Sequence, residues 1–123
     1  MQHTVSLKEN RQFRRLYAKG QSAVMAPLVL YCRRNGLQKN RLGITVSTKI
    51  GKAVIRNRLR RRLRELYRIH EGELRGGYDI VLVGRMRGVH CSFSELERSF
   101  FKASQTCKLR KQTEIRGTEG KES

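Results

Sequence analysis

Residues 52–70 carry the strongest structural signal in the chain, a helix with one apolar side. At 100° per residue from Ile55, the side chains of Leu59, Leu63, Leu66 and Ile69 return to a single narrow stripe. Arg56, Asn57, Arg60, Arg61, Arg64 and Arg68 fall on the opposite side, while Arg62 intrudes on the stripe. A helix patterned this way must bury its stripe against other elements, so the rest of the chain has to supply a sheet or further helices. Across residues 49–68, nine cations (Lys49, Lys52, Arg56, Arg58, Arg60, Arg61, Arg62, Arg64 and Arg68) stand against one acid, Glu65. Neighbouring like charges on a helix repel by a few tenths of a kcal/mol per pair, about 0.2–0.5, so so uniform a face calls for an external anion. Most of these cations are arginines, whose planar guanidinium can bond phosphate through two N–H groups and stack on a base.

The whole chain has the same bias: 28 Lys and Arg against 10 Asp and Glu leave 123 residues at +18. One domain of this charge repels itself and is best neutralised by a polyanion, with nucleic acid as the default partner. A membrane surface fits less well, because helices that lie on bilayers set Trp, Phe and Leu opposite their basic face and this chain has no Trp. The longest apolar run, residues 26–31, is interrupted by Pro27 and is far shorter than the roughly 20 residues of a membrane span. Neither a span nor a secretory signal is expected, and the location expected is cytoplasmic. Cys32, Cys91 and Cys107 are widely spaced without a CxxC pair, which predicts reduced thiols serving as small core residues. His3, His70 and His90 have no metal-ligating partner at helical spacing, so no metal site is expected on one helix.

Other elements can be placed around the basic helix. The S-x-x-E capping box at Ser6–Glu9 predicts the start of a first helix, with Leu7, Phe13, Leu16 and Tyr17 on one side and a stop at Gly20. Residues 27–33 and 41–48 predict two antiparallel strands joined by a loop over 34–40 that contains Asn35-Gly36. In the second strand Leu42, Ile44 and Val46 alternate with Gly43, Thr45 and Ser47, the pattern of a sheet with one face open to water. Residues 78–84 predict a third, more deeply buried strand. A second capping box at Ser92–Glu95 predicts a last helix, with Phe93, Leu96, Phe100 and Ala103 facing the core, fading by about Arg110. The expected fold is α+β, a single-domain α-β-β-α-β-α sandwich of helices on a mainly antiparallel sheet over residues 1–110, with a disordered tail over 111–123.

The acids offer little for catalysis by the polypeptide. Glu9 and Glu95 serve as helix caps, Glu65 sits among arginines, and Glu114, Glu119 and Glu122 lie in the tail, leaving Glu71, Glu73, Asp79 and Glu97. No D-x-D, H-x-H or nucleophile elbow assembles acid–base or two-metal chemistry, so no catalytic residue is assigned.

The run 41–65, RLGITVSTKIGKAVIRNRLRRRLRE, resembles the signature of the bacterial ribonuclease P protein component, with its RNR segment at Arg56-Asn57-Arg58. Phe13 and Tyr17 before Gly20, Val29-Leu30-Tyr31 and residues 78–83 are similar to their family counterparts, so the resemblance spans about residues 7–105. Arg60 stands where the family more often has Lys, a change that keeps the charge. The resemblance implies a ribosomal-protein-like fold with a left-handed β-α-β crossover. It also implies a protein that assists a catalytic ribonuclease P RNA in removing the 5′ leader of precursor tRNA, with Mg²⁺ held mainly by the RNA and substrate. By position it places Lys52, Arg56, Asn57, Arg58, Arg60, Arg61, Arg62, Arg64 and Arg68 on the RNA subunit. It places Phe13, Tyr17 and Tyr31 on the single-stranded leader, where aromatic faces stack on unpaired bases. Arg11, Arg14, Thr45, Ser47 and Lys49 could complete the groove around them. Neither membrane nor DNA is an expected partner.

Three other classes are distinguishable. A small ribosomal or ribosome-assembly protein, the alternative reading, would need the basic face but not the aromatic groove. A helix-turn-helix DNA binder predicts a short helix just before the recognition helix, where this sequence alternates as a strand. A nuclease in its own right lacks the acid–base inventory.

Overall fold

The computed structural model describes residues 4–111. Five strands form one mixed sheet: β1 (Thr4–Ser6), β2 (Gln21–Val24), β3 (Leu28–Arg34), β4 (Asn40–Thr45) and β5 (Tyr78–Gly84), in the order β1-β4-β5-β3-β2. The helices are α1 (Asn10–Lys19), α2 (Ala53–His70), α3 (Met86–His90) and α4 (Phe93–Thr106), with 3-10 turns at Thr48–Ile50 and Glu71–Glu73. Mixed α+β architecture is as expected, but the sheet departs from the expected one in two ways. β3 and β4 are not a hairpin: β5 lies between them, antiparallel to β3 and parallel to β4. The sheet is not mainly antiparallel either, since β1 and β4 also pair in parallel. The reason is burial: Ile80, Val81 and Leu82 are all fully buried, and only a central strand covered on both faces accommodates such a run. The parallel β4–α2–β5 crossover is the unit for which the resemblance implies a left-handed turn.

Both faces of the sheet carry helices. On one, Leu28, Leu30, Cys32, Leu42, Ile80 and Leu82 pack with Leu59, Leu63 and Leu66 of α2 and Leu96, Phe100 and Ala103 of α4. On the other, Leu7 and Leu16 pack on Val81, with Phe13, Tyr31 and Val83 partly buried around them. The face expected to stay open beside Gly43 is thus roofed by α1. Ser6 does not cap that helix, because residues 4–6 pair with β4 and Leu7 plugs the second cluster. Helix α1 starts one turn later, with a reciprocal capping box between Glu9 and Gln12. Gly20 does end it, donating its N–H to Leu16 O at 2.9 Å. A Cβ there would lie 2.7 Å from the same carbonyl.

In α2 the buried arc is Leu59, Leu63, Leu66 and Tyr67, while Ile69, expected on the stripe, is 45% exposed. The arc is centred on Leu59 and Leu63, and Ile69 lies off its edge. Tyr67 takes the other edge because its hydroxyl finds partners: Thr4 Oγ1 at 2.8 Å and the Asn40 amide at 3.4 Å. Asn40 in turn donates to Arg75 O and accepts from Tyr78 N, so this buried polar network is satisfied. The last helix begins as expected, with Ser92 Oγ accepting from Glu95 N at 3.1 Å. It stops at Thr106, short of Arg110, and residues 109–111 run back against the Glu71–Glu73 turn through Arg75 N to Leu109 O and Lys111 N to Glu73 O. Cys32 and Cys107 are buried in the main core, where a hydrogen bond between them and burial push the Cys32 thiol well above the ordinary range. The expected tail, from residue 112 onward, lies outside the described residues.

A charged clasp closes the end of α2. His70 Nδ1 lies 3.0 Å from Glu73 Oε2 and Nε2 lies 2.9 Å from Glu97 Oε2, and Arg110 pairs with Glu73 at 2.9 Å. Burial opposes charge on the ring, but the two carboxylate bonds outweigh it and raise the His70 pKa. Burial likewise opposes charge on Glu73, and its bonds to His70 and Arg110 win, lowering its pKa. A raised histidine stabilises the fold fully below its unfolded pKa of about 6.5 and loses that contribution as pH rises through the folded value. A depressed carboxyl contributes above its unfolded pKa of about 4.3 and loses it as pH falls through the folded value. The clasp is therefore strongest between about pH 4.3 and 6.5. Denaturant unfolding of wild type and His70→Asn is expected to differ most near pH 5.5, by about 1 kcal/mol after solvent screening, and to converge in the alkaline range. An equal gap at both pH values would refute an ionic clasp.

Candidate nucleic-acid interface

The basic helix is anchored through its leucines, and this decides which cations are available. Arg58, Arg61 and Arg64 are exposed and their side chains form no hydrogen bond or ion pair among the described residues, and the same holds for the side chains of Lys52 and Lys49 beside them. Others are engaged. Arg56 Nε donates to Gly51 O at 3.1 Å, closing the turn into the helix. Arg60 donates to Asn57 Oδ1 at 2.9 Å, and Arg68 makes a two-pronged ion pair with Glu65 at 2.9 and 2.6 Å. That pairing lowers the Glu65 pKa and raises that of Arg68. The bonds of Arg60 and Arg68 are solvent-exposed, so phosphate can replace those partners at little cost, whereas that of Arg56 is partly buried. Arg62 differs: it turns into the fold, its Nη1 and Nη2 bonded to backbone carbonyls of Gly88, Val89 and Cys91. Before α2 stand a strand and the 3-10 turn Thr48–Ile50, not the short first helix of a helix-turn-helix.

The three expected aromatics meet on the opposite face of the sheet. Tyr17 and Tyr31 make an edge-to-face pair with ring centroids 4.9 Å apart, and Phe13 lies 6.5 Å from Tyr17. Strand register explains the arrangement: Tyr31, Val81 and Gly43 share one row across the sheet, and Val29, Val83 and Thr45 share the next. The Tyr17 hydroxyl reaches Thr45 Oγ1 at 3.5 Å. Tyr17 is 43% exposed and Phe13 and Tyr31 are partly buried, so the groove offers ring surface to solvent. Ser47 caps the 3-10 turn by accepting from Lys49 N at 3.1 Å, holding exposed Lys49 on the connection that runs from β4 to α2. Arg14 is exposed and unpaired among the described residues, while Arg11 pairs with Glu9 at 2.9 Å.

Sequence reasoning missed two members of this groove. Arg33 follows Tyr31 by two residues on β3 and so shares its face; the alternation of that strand was the available signal. Gly43 is the seat of Phe13, for a Cβ there would lie 2.6 Å from the ring atoms Cε1 and Cζ. Gly43→Ala is expected to push Phe13 and α1 off the sheet at a cost of about 1–3 kcal/mol. The loss is read as a lower denaturant midpoint and is partly recovered by adding Phe13→Leu. An unchanged midpoint in the single variant would show that the ring is not seated there.

Every acid among the described residues is engaged. Asp79 accepts from Arg41 at 2.7 and 2.9 Å and from Asn35 at 3.1 Å. Glu95 pairs with Arg87, Glu97 with His70, and Glu71 with Thr4. Among the described residues no group of three His, Cys, Asp or Glu could hold a metal ion, and no helix is long and apolar enough to cross a membrane.

Comparison with known proteins agrees along nearly the whole chain. The family model Ribonuclease P matches residues 1–108. The ribonuclease P protein component of Natranaerobius thermophilus is 38% identical over 109 residues, covering 89% of this chain and 95% of that one. The corresponding protein of Caldanaerobacter subterraneus is 43% identical, covering 78% and 83%. Among solved structures, the Staphylococcus aureus RNase P protein is similar with a TM-score of 0.75 at 29% identity, covering 89% of this chain and 98% of that one. The Thermotoga maritima RNase P protein matches with a TM-score of 0.71 at 32% identity, covering 79% and 92%.

Proposed function

This chain belongs to the ribonuclease P protein family, and we propose that it is the non-catalytic RNA-binding subunit of an RNA-based endonuclease that removes the 5′ leader from precursor tRNA. The observation that carries this reading is the contrast between cations and acids. Arg58, Arg61 and Arg64 lack protein partners among the described residues, whereas every described carboxylate has one. Such a surface binds phosphate and positions it; it does not move protons at a reacting atom. In this reading Mg²⁺ is held mainly by the RNA subunit and the substrate rather than by the protein.

The two surfaces divide the work. The outer face of α2, with Lys52, Arg56, Asn57, Arg58, Arg60, Arg61, Arg64 and Arg68, binds the RNA subunit through its backbone. The groove of Phe13, Tyr17 and Tyr31, bordered by Arg11, Arg14, Thr45, Ser47 and Lys49, takes the unpaired leader. Helices α1 and α2 lie on opposite faces of the sheet, and the segment containing Ser47, Lys49 and Lys52 runs from β4, on which Thr45 lies, to the start of α2. One small cytoplasmic protein can thereby touch ribozyme and substrate at once. A ribosomal role leaves the solvent-facing aromatic groove without a purpose and is not favoured.

The test is cleavage of 5′-labelled precursor tRNA at low Mg²⁺ by this chain, by a bacterial ribonuclease P RNA, and by both together. Release of intact leader only from the combination is expected. Cleavage by the polypeptide alone, or no stimulation of the RNA, would overturn the proposal.

A further inference from the structure

Arg62 stands at the apolar edge of α2, next to Leu59, Leu63 and Leu66, where a guanidinium must find acceptors or destabilise the fold. It finds three. Nη1 donates to Gly88 O at 2.6 Å and Val89 O at 3.2 Å, and Nη2 to Cys91 O at 2.7 Å. These carbonyls lie at the end of α3 and immediately before Ser92, the cap of α4. A five-residue helix leaves most of its carbonyls without intrahelical partners, and one planar fork satisfies three at this junction. The contact is close-packed: Gly88 is buried, and a Cβ there would meet Pro27 O at 2.7 Å and Leu59 Cδ1 at 3.1 Å.

We propose that Arg62 is a positioning residue for RNA binding, which locks the rotation of α2 against the α3–α4 junction and contacts no phosphate itself. This rests on the reading of the outer face of α2 as the RNA-subunit surface. The leucine stripe holds α2 to the sheet, but apolar packing is tolerant of small rotations, and a rotation would turn Arg58, Arg61 and Arg64 together. Three directed bonds from the flank of the stripe resist it. Lysine cannot substitute, because its single ammonium cannot reproduce the fork that serves carbonyls on both guanidinium nitrogens.

The experiment measures affinity of the full chain for a bacterial ribonuclease P RNA across a range of salt concentrations. Arg62→Lys keeps the charge and is expected to bind about fivefold or more weakly, because preorganisation is lost, with the salt slope of wild type. Arg62→Met is expected to lose at least as much affinity, again at unchanged slope. Arg61→Met, the comparison, is expected to flatten the slope by about 0.7–0.9. A phosphate contact by Arg62 predicts the reverse, near-normal binding by the Lys variant and a flattened slope for the Met variant, and that result overturns the proposal. So does affinity within twofold of wild type in folded Arg62→Lys, which also carries the test should Arg62→Met fail to fold. Amide exchange across residues 86–92 separates the two readings. Faster exchange in Arg62→Lys with no slope change in Arg61→Met would refute the α2 surface while leaving the clamp; unchanged exchange would refute the clamp.

Discussion

Replacing Arg58, Arg61 and Arg64 together by Met is expected to weaken binding to the ribonuclease P RNA by about 10³-fold, taking each lost charged hydrogen bond at roughly 1.5 kcal/mol. The same variant is expected to flatten the salt dependence by about 2–3 in log–log slope, the sum of three phosphate contacts. The fold has no reason to suffer. All three side chains are exposed and bond to nothing among the described residues, and their removal relieves repulsion along the helix. Circular dichroism and the denaturant midpoint of the free protein check this directly. Arg56→Met is expected to do less to the slope and more to stability, because its guanidinium also closes the turn at Gly51 O. If the triple variant kept both affinity and slope, the outer face of α2 would not be the RNA surface.

How much of this was legible in the sequence depends on how local each feature is. The helices α2 and α4 and the strand β5 follow from periodicity and capping residues that lie within the segments themselves. The neighbours of each strand do not. The β3–β5 pairing joins residues far apart in the chain, and alternation says which face a residue takes but not which strand lies beside it. Strands β1 and β2, of three and four residues, are too short to show a period at all. The capping box at Ser6 is a sound local signal overridden by a tertiary one, since pairing with β4 and burial of Leu7 together outweigh a cap worth about 1 kcal/mol.

For the site, the family resemblance named Phe13, Tyr17 and Tyr31, which the fold does bring together, but it did not name their surroundings. The i,i+4 spacing of Phe13 and Tyr17 is visible on α1; the approach of Tyr31 depends on the packing of that helix across β3. Gly43 looked like a polar-face residue, yet its role is steric and exists only because a ring lies on it. Arg62 is the clearest case. Its intrusion on the apolar stripe was visible as an anomaly, but its acceptors are carbonyls of a segment that carries no helix signature, so only the folded chain reveals their meeting.

The aromatic groove supplies the last prediction. Tyr17→Ala and Tyr31→Ala are each expected to weaken binding of precursor tRNA to the assembled enzyme by about 1–3 kcal/mol while leaving mature tRNA binding unchanged, because only the precursor carries unpaired bases that can stack. The quantity to follow is the ratio of the two affinities, since a partly unfolded variant loses both and leaves the ratio alone. Tyr17→Phe and Tyr31→Phe keep the rings and are expected to retain the wild-type ratio; the Tyr17 hydroxyl makes only a long contact to Thr45 at 3.5 Å, so little is lost with it. Phe13 is less useful as a probe. Its ring is seated on Gly43, and truncating a packed Phe costs about 3–5 kcal/mol of stability, which would obscure any effect on the leader. Shortening the leader supplies an independent axis, as the benefit of the tyrosines is expected to shrink with each unpaired nucleotide removed from the groove. An unchanged ratio in folded Tyr17→Ala and Tyr31→Ala proteins would make these rings packing residues and place the leader on another surface.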